Sequence, residues 1–275
     1  MAKKKNLIKF TKMQASGNDF IVLENLDKKM NTSLLKDLAV KLCKRKFGIG
    51  ADGMLVWEKF KGFDGSMRVF NPDGSEPEMC GNGARCFALY LNKKLRKNRL
   101  IIKTKGAVVF CNVKDNLVSI KMPDVKEIKS NIKLSSNSKK FLGNFLNTGV
   151  PHVVIFSKNV KKLNIQKYAP PIRFNTRLFP QGTNVNFVEK ISANHILVRT
   201  YERGVEEETY SCGTGMVASS IVLVLKSKKE GSHTVIAENV YGQQVKVNIR
   251  NKGNNFFDIW LEAEAHFVYE GVLLE

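Results

Sequence analysis

Two short motifs each place a cysteine directly before a glycine-rich turn. MCGNG at 79–83 contains Cys80, and SCGTG at 211–215 contains Cys212, 132 residues later. Each motif runs into an apolar segment that predicts a helix, so each cysteine would stand at a helix N-terminus. There the helix dipole and the unpaired amides favour an anion, which lowers a thiol pKa from about 8.5 toward about 7 or below. The same amides can hold a substrate carboxylate, because glycine lets a ligand approach the backbone closely.

Two equivalent thiols on opposite sides of a ligand suit the inversion of a stereocentre. One thiolate removes a proton from one face of a carbon while the opposing thiol delivers a proton to the other face. A disulfide oxidoreductase would instead carry adjacent sulfurs, as in CxxC, and this sequence has no such motif. The other three cysteines, Cys43, Cys86 and Cys111, are predicted to be core residues.

Two further pairs of segments repeat with the same spacing. ASGNDFIVL resembles NTGVPHVVI, and IGADGMLV resembles QGTNVNFV; in both pairs the matched glycines are 132 residues apart, as the two cysteines are. A single Cys-Gly turn is more often a small core residue, but two in one register favour a shared function. The chain is therefore interpreted as two copies of one unit, about residues 7–122 and 139–263.

Short β-rich runs separated by polar turns dominate each half, which predicts a mostly antiparallel or mixed sheet. The strands expected in the first half are Leu7–Phe10, Phe20–Leu23, Met54–Glu58, Met67–Phe70, Leu100–Lys103, Val108–Val113 and Leu117–Met122. An amphipathic pattern predicts an outer helix at about Ser33–Lys46. By contrast, Ala84–Leu91 and Met216–Leu225, which follow the two motifs, are apolar or small nearly all the way round and predict helices surrounded by protein.

These elements predict an α/β fold of the α+β type, with two pseudo-symmetric halves that each wrap a curled sheet around a central helix. The N-terminal half is expected to comprise residues 1–123 and 266–275, because the tail has no counterpart at the end of the first copy and would return as a strand to pair with that half. The C-terminal half would comprise residues 124–265. The polar, lysine- and serine-rich segment at 126–140 has the composition of a connector. The active site is expected in the cleft between the halves.

Composition and spacing argue against several other classes of protein. The 275 residues are 43% hydrophobic and 25% charged, as in ordinary globular proteins, and no signal peptide or membrane span is visible, so we expect a cytoplasmic protein. The net charge of +20 makes nucleic-acid binding an alternative from a different class, but the lysines are scattered.

His195, His233 and His266 do not group with carboxylates or thiols, so no metal site is expected. FGIGADG contains GxGxxG but follows a helix, unlike a dinucleotide fingerprint, and is interpreted as a turn lining the cleft.

Charged residues before the second motif, in YERGVEEET, suit the recognition of an amino acid. Arg203 could clamp a carboxylate and Glu202 could pair with an ammonium group, although either could also form a surface ion pair. The acidic run at 206–208 is interpreted as a solvated face. His152, after a GVP turn, is either a structural histidine or a residue that tunes a thiol.

Together, several motifs resemble the diaminopimelate epimerase family, in that family's order from about residue 10 to residue 225: SGNDF, FGIGADG, FNPDGSEPEMCGNGARC, GVPHVVIF, GTNVNFV and YERGVEEETYSCGTG. The resemblance implies a cofactor-independent isomerase that interconverts LL- and meso-2,6-diaminopimelate in lysine and peptidoglycan synthesis. It also implies two pseudo-symmetric α/β halves. The expected partner is the small-molecule substrate, with neither nucleic acid nor a membrane, and a homodimer is one option for its assembly.

The resemblance further implies roles for particular residues. Cys80 and Cys212 would be the acid–base pair, and His152 and Glu202 match positions that adjust the thiols. The carboxylate at the reacting carbon would be held by Gly81, Asn82, Gly213 and Thr214. The distal end of the substrate would be recognised by Asn18, Asn71, Asn184, Glu202 and Arg203.

The nearest alternative is a proline or hydroxyproline racemase of the same fold, which also uses paired cysteines. Arg203, suited to a second carboxylate, favours the diacid substrate. The chain departs from many family members at two substrate-contacting positions, with Gly53 in place of Gln and Val150 in place of Asn.

Overall fold

The computed structural model describes residues 7–273 and divides into two compact units. The first unit extends to Ile120 and resumes at Ala263, and the second is Lys121–Glu262. Residues 1–6 and 274–275, which the sequence analysis assigned to the N-terminal half, lie outside the described residues. Among the residues described, no helix has both the length and the apolar character needed to cross a bilayer.

Strands outnumber helices in both parts of the chain. The first half of the chain contains β1 (Lys9–Ala15), β2 (Asn18–Glu24), α1 (Thr32–Leu42), β3 (Gly53–Glu58), β4 (Gly65–Phe70), α2 (Gly81–Leu95), β5 (Arg99–Lys103), β6 (Val108–Lys114) and β7 (Leu117–Lys121). The remainder contains β8 (Lys126–Ser136), β9 (Lys139–Asn147), β10 (Pro151–Phe156), α3 (Ile165–Arg173), β11 (Asn184–Lys190), β12 (His195–Tyr201), β13 (Glu208–Thr209), α4 (Gly213–Ser227), β14 (Gly231–Asn239), β15 (Gln244–Lys252), β16 (Asn255–Glu264) and β17 (His266–Val272).

The first unit is built on a mixed, mostly antiparallel set of strands. β1 and β2 form an antiparallel hairpin, β2 runs parallel to β3, and β3 is antiparallel to β4. β4 runs parallel to β5, which continues antiparallel through β6 and β7. β17 pairs antiparallel with β1, with Lys9 opposite Val272. The predicted return of the C-terminal tail as a strand is thereby confirmed.

The helix after the first Cys-Gly turn is surrounded by this unit. In α2, nine consecutive residues from Gly83 to Leu91 are buried, and the helix packs against β1, β2, β4, β5 and β6. A helix covered on every side needs small or apolar residues nearly all round, which is the pattern of this stretch apart from Arg85. By contrast, α1 buries only one face, with Leu35, Ala39 and Leu42, and it ends earlier than predicted, at Leu42 with Cys43 as its C-cap.

The second unit repeats the arrangement. β9 is antiparallel to β10, β10 runs parallel to β11, β11 is antiparallel to β12, and β12 runs parallel to β14, which continues antiparallel into β15 and β16. Its central helix α4 buries ten consecutive residues from Gly215 to Val224 and packs against β9, β10, β11, β12, β14 and β15. The fold class predicted from the sequence is therefore confirmed: a mixed α/β structure of two related halves.

The segment predicted as a connector is instead a strand hairpin. Most of residues 126–140 belongs to β8, which pairs antiparallel with β9, with Leu134 opposite Phe141. Both side chains are buried in a cluster that includes Phe187, whereas Lys133 and Ser135 are exposed. The prediction was wrong because the polar residues belong to the solvent face of a half-buried strand, and composition alone cannot separate that face from a linker.

This correction predicts that Gly143→Ala destabilises the fold. A Cβ at Gly143 on β9 would lie 2.7 Å from Leu134 Cδ1 and 2.8 Å from Val153 Cγ2. Two branched side chains would have to move, which typically costs about 1–3 kcal/mol. Urea unfolding should show this loss, whereas Leu142→Ala, at the exposed neighbour, should stay within about 0.5 kcal/mol of the parent. Equal stability of the two variants would contradict the packed hairpin.

Candidate active site

Cys80 stands at the N-cap of α2 in an extended conformation. Its Sγ accepts a hydrogen bond from the backbone N of Gly83 at 3.4 Å, and the residue is half-buried. A Cβ on Gly83 would lie 3.5 Å from that sulfur and 3.0 Å from Leu55 Cδ2. Around Gly81, in contrast, an added Cβ would meet only Ile120 Cδ1, at 3.8 Å. The backbone next to the thiol is thus open at Gly81 and packed at Gly83.

Asn18 lies beside this thiol and is held by Asp52. The Cys80 Sγ is 4.0 Å from Asn18 Oδ1, and Asn18 Nδ2 donates to Asp52 Oδ2 at 2.9 Å. Arg45 donates to Asp52 Oδ1 at 2.7 Å, which fixes the carboxylate. Because an amide nitrogen must face the carboxylate, Asn18 presents its oxygen toward Cys80.

A charged network ties these residues to the loop FGIGADG. Arg45 and the buried Lys12 both pair with Asp19 at 2.7 Å, and Lys12 also donates to the carbonyl of Gly50. Burial alone would raise the pKa of Asp19, but hydrogen bonds from Arg45 and Lys12 hold it well below its usual range. The loop therefore supplies Asp52 as the support of Asn18.

Arg85, on α2, carries a guanidinium that is buried to 1% exposure. Its Nη2 donates to Ser16 Oγ at 2.7 Å and to Asn82 Oδ1 at 2.9 Å. Burial lowers the pKa of Arg85, and the neighbouring thiols of Cys86 and Cys80 act in the opposite direction. Arginine nevertheless stays protonated in proteins, so its cation orients Asn82 and favours negative charge near Cys80.

Cys212 stands at the equivalent N-cap, that of α4, but it is more deeply buried than Cys80. Its Sγ is 3.6 Å from Thr214 Oγ1, and the residue is buried. Burial, with the adjacent Glu202 carboxylate, raises the pKa of the Cys212 thiol to about 12, against partial stabilisation by Thr214 and the amide of Gly215. The predicted lowering of the thiol pKa is wrong for Cys212, because desolvation outweighs the helix dipole.

Glu202 and Cys212 act on each other. Burial raises the pKa of the Glu202 carboxyl, while hydrogen bonds from Thr209 and Cys212 partly oppose the rise. The two effects differ in direction: the Glu202 carboxylate disfavours a Cys212 thiolate, whereas the Cys212 thiol, by donating a hydrogen bond, favours the Glu202 carboxylate.

The turn after β12 is fixed by hydrogen bonds within the second unit. Asn184 donates to the carbonyl of Pro151 at 3.1 Å and accepts from the backbone N of Arg203 at 2.8 Å. Arg203 Nη1 donates to the carbonyl of Gln181 at 2.7 Å. Asn184 thus positions Arg203 in addition to any contact with a substrate.

The acidic run at 206–208 is only partly a solvated face. Glu206 pairs with Arg173 at 2.7 Å, and Glu208 pairs with Arg199 at 2.6 Å. Only Glu207 is exposed. The interpretation of the whole run as solvated was wrong, because two of its carboxylates anchor the turn that carries Glu202 and Arg203.

His152, the second residue of β10, is completely buried. Its Nδ1 lies 3.0 Å from Asn186 Nδ2. Burial lowers the pKa of His152 to about 3, and the charge of Arg203 adds to the lowering. His152 is therefore a neutral imidazole across the physiological range, and it cannot tune a thiol by positive charge.

A sequence model of one protein family matches most of this chain. The model described as diaminopimelate epimerase covers residues 10–126 and 144–265. The chain belongs to the diaminopimelate epimerase family.

Relatives and solved structures agree with this membership. A diaminopimelate epimerase of Methanocella arvoryzae is 39% identical over 96% of each chain, and that of Flavobacterium psychrophilum is 35% identical over 96% of this chain and 99% of the relative. A PhzF-family phenazine biosynthesis protein of Bacillus anthracis superposes with a TM-score of 0.72 over 98% of this chain and 100% of its own, at 16% identity. A hydroxyproline epimerase of Agrobacterium vitis superposes with a TM-score of 0.67 over 98% of this chain and 93% of its own, at 12% identity. These structures establish a shared fold.

The residues implied by the resemblance to diaminopimelate epimerases fall into two sets, one in each unit. Those of the first unit are Cys80, Asn18, Gly81, Asn82 and Asn71, the last donating to Ser75 Oγ at 2.9 Å in the turn after β4. Those of the second unit are Cys212, Gly213, Thr214, Asn184, Glu202, Arg203 and His152. Their roles stay predictions.

Sequence reasoning missed three supporting residues. Asp52 could have been found, because it is the counterpart of Asn184 in the 132-residue repeat. Arg85 and Asn186 gave no comparable signal, since one is a single charge in an apolar helix and the other an ordinary polar position in a strand.

Gly53, one of the two departures from the family that the sequence analysis names, is packed tightly. A Cβ there would lie 3.1 Å from the carbonyl oxygen of Phe70 and 3.4 Å from the ring of Phe20. A side chain at this position would therefore press on the Phe70 carbonyl, and glycine relieves this close approach.

The burial of the thiols predicts their order of alkylation. Cys80 is half-buried, whereas the other four thiols are buried, and burial raises the pKa of Cys43 to about 11 and of Cys111 to about 12. With iodoacetamide at pH 8, peptide mapping should find Cys80 modified at least about tenfold faster than any other cysteine, because the thiolate is the nucleophile. Cys80→Ala should lose this fast phase. Labelling of Cys212 or a core cysteine first would contradict the assignment.

The neutral state of His152 predicts a pH dependence of stability. In the unfolded chain a histidine binds a proton below about pH 6.5, whereas His152 in the folded chain does so only near pH 3. Its contribution to stability is therefore complete above pH 6.5 and is lost as the pH falls, by about 2 kcal/mol between pH 7.5 and pH 5. The pKa of Glu202 is raised, so its own contribution to stability is lost as the pH rises rather than as it falls.

Urea unfolding of the parent and of His152→Gln at the two pH values measures this contribution. The parent should lose about 2 kcal/mol more than the variant on acidification, because the variant has no imidazole to protonate. Each protein serves as its own reference, so a lower overall stability of the variant does not matter. The same loss in both proteins would show that His152 is not held neutral.

Proposed function

We propose that this protein is a diaminopimelate epimerase that inverts one α-carbon of 2,6-diaminopimelate with Cys80 and Cys212 as its two bases. The observation that carries the proposal is the placement of both cysteines at the N-caps of buried helices in two repeated units of this family. A two-base inversion needs one thiolate and one thiol, and it exchanges their protonation states with each turnover.

The surroundings of the two thiols support different starting states. Cys212 lies in a dry site beside Glu202, where burial and the carboxylate favour the protonated thiol. Cys80 is half-buried at a helix N-terminus near the buried cation of Arg85. We infer that Cys80 starts as the base and Cys212 as the acid in one direction of the reaction.

In that direction the Cys80 thiolate takes the α-proton and becomes a thiol, and the electron pair remains on the α-carbon. The Cys212 thiol then donates its proton to the opposite face and becomes a thiolate. The reverse reaction uses the same groups with their states exchanged, so no net proton or electron is gained.

Backbone amides at the helix N-termini would hold the reacting end of the substrate. The first amides of a helix have no acceptor within it and attract a carboxylate. The open backbone at Gly81 and at Gly213, where an added Cβ would meet only Leu261 Cδ1 at 3.4 Å, leaves room for this contact. Asn82 and Thr214 would add side-chain donors next to them.

The distal amino-acid end would be recognised by charged and amide groups. Arg203 would bind the second carboxylate, and Glu202 would pair with the ammonium group in addition to its effect on Cys212. Asn18, Asn71 and Asn184 would complete the contacts. The second carboxylate distinguishes this substrate from that of a proline or hydroxyproline racemase, the alternative within the same fold. A cytoplasmic location and a homodimeric assembly stay predictions.

The experiment is proton exchange in deuterated water, with protein freed of pyridoxal phosphate and LL-diaminopimelate as substrate. NMR should show deuterium at an α-carbon and formation of the meso form. Cys80→Ala and Cys212→Ala should each lose epimerase activity by about 10²- to 10⁴-fold, the usual contribution of a general acid or base.

Cys86→Ala is the matched control, because Cys86 is a buried cysteine of the same helix as Cys80 and should leave the rate unchanged. Absence of deuterium with the parent protein, or full activity in both the Cys80 and the Cys212 variants, would refute the proposed function. Faster exchange with proline than with diaminopimelate would favour the alternative.

A further inference from the structure

We propose that Asn186 fixes His152 as a neutral hydrogen-bond donor through Nε2 and is thereby a positioning residue of the site around Cys212. The assignment of the ring state needs no knowledge of the reaction. Its consequence for catalysis rests on the proposed function.

Asn186 is held by three hydrogen bonds in a fully buried position. Its Nδ2 donates to the carbonyl of Val153 at 3.1 Å and lies 3.0 Å from His152 Nδ1, and its Oδ1 accepts from Thr200 Oγ1 at 2.9 Å. Asn186 and His152 are both 0% exposed. Three protein groups therefore hold this buried amide in place.

The Val153 carbonyl decides which way the amide points. If the amide were reversed, its oxygen would face the carbonyl oxygen of Val153 at 3.1 Å, and two acceptors would meet without a proton between them. Nδ2 must therefore occupy the observed position. Its second proton then points at His152 Nδ1, which must be the acceptor.

A neutral imidazole that accepts through Nδ1 carries its proton on Nε2. Within residues 7–273, His152 Nε2 is buried without a hydrogen-bond partner. A buried donor without a partner is unfavourable, so this proton is suited to an acceptor that arrives with the reaction. Its chemistry matches an anionic oxygen or sulfur, meaning a substrate carboxylate or a thiolate.

The same asparagine packs against the first turn of α4. A Cβ on Gly215 would lie 2.4 Å from Asn186 Oδ1, 3.0 Å from Thr200 Oγ1 and 3.3 Å from Cys212 Sγ. Asn186 therefore connects the imidazole of His152 to the backbone that holds Cys212. A shift of this amide would move both groups.

The first unit shows that the fold does not require this polar chain. The counterparts of His152 and Asn186, 132 residues earlier, are Phe20 and Met54, and both are buried. The same strands therefore pack with apolar side chains in one unit and with a hydrogen-bonded His–Asn pair in the other. This difference argues for a chemical role in the second unit.

The test of the ring state is ¹⁵N NMR of protein labelled at histidine, with His152 assigned by the signal that His152→Gln removes. The chain has four histidines. Between pH 5 and pH 8, His152 should show the neutral pattern with protonated Nε2. A neutral ring protonated on Nδ1, or an imidazolium at pH 7, would overturn the proposal.

Asn186→Asp keeps the shape of the side chain but replaces the amide donor that faces His152 Nδ1 with a carboxylate acceptor. A carboxylate there accepts a proton, so the His152 signals should change to protonated Nδ1 or to the imidazolium. The kcat for diaminopimelate should fall at least about tenfold, and the pH profile should change, because a misplaced donor typically costs a factor of this order or more.

Asn144→Asp is the matched control, since Asn144 is also a buried asparagine of the second unit, on β9. It should leave the His152 spectrum and kcat unchanged. Unchanged His152 signals in Asn186→Asp would overturn the proposal. If Asn186→Asp does not fold, the ring state of the parent protein alone decides.

The two proposals can fail separately. The NMR measurement needs no substrate, so it remains decisive if deuterium exchange is absent. If exchange is present but Asn186→Asp keeps the parent kcat with an altered ring state, the positioning role is wrong and the proposed function stands.

Discussion

Each Cys-Gly turn opens a helix that is surrounded by protein, and this burial is the constraint on which the other features depend. A buried helix cannot present a continuous polar face, so the buried stretches of α2 and α4 consist of small and apolar residues, with Arg85 as the charged exception. Burial also removes water from the thiol at the helix N-cap. The helix dipole and the unpaired amides favour a thiolate there, whereas desolvation favours a thiol, and the balance is set by whatever charged groups lie nearby.

The two units have the same backbone around the thiol but place different side chains beside it. Around Cys80 there are a buried guanidinium, Arg85, and an amide held by Asp52. Around Cys212 there are a carboxyl, Glu202, and, behind Gly215, the amide of Asn186, which also contacts His152. A reaction with two bases needs one thiol to start without its proton and the other to start with it. In the proposed reaction, the repeated unit would supply equivalent positions for the two thiols, and these unlike neighbours would supply the difference in protonation.

The sequence predicted the features that follow from local pattern. The apolar runs after the motifs became α2 and α4, and the tail became β17 on β1. The sequence did not predict features that depend on tertiary context. The hairpin of β8 and β9 was hidden because its buried positions alternate with lysine and serine. Helix α3 was hidden because Pro170 and Pro171 lie within it, although it buries Ile165, Ala169 and Ile172 against the second unit. Similarly, the raised pKa of Cys212 depends on burial that no motif records.

The glycines of the two motifs show how far a motif can be interpreted. Sequence alone gives every glycine in MCGNG and SCGTG the same meaning, close approach of a ligand. The structure separates two roles: Gly81 and Gly213 leave open space at the backbone, whereas Gly83 and Gly215 are packed against Leu55 and Asn186, behind the sulfur of the preceding cysteine. Only the first pair can face a ligand. The second pair lets the helix approach the side chains behind it, and its amides face the sulfurs: Gly83 N donates to Cys80 Sγ, and the amide of Gly215 partly stabilises the Cys212 thiolate. The third residue after each cysteine therefore acts on the thiol through its backbone rather than through contact with a substrate.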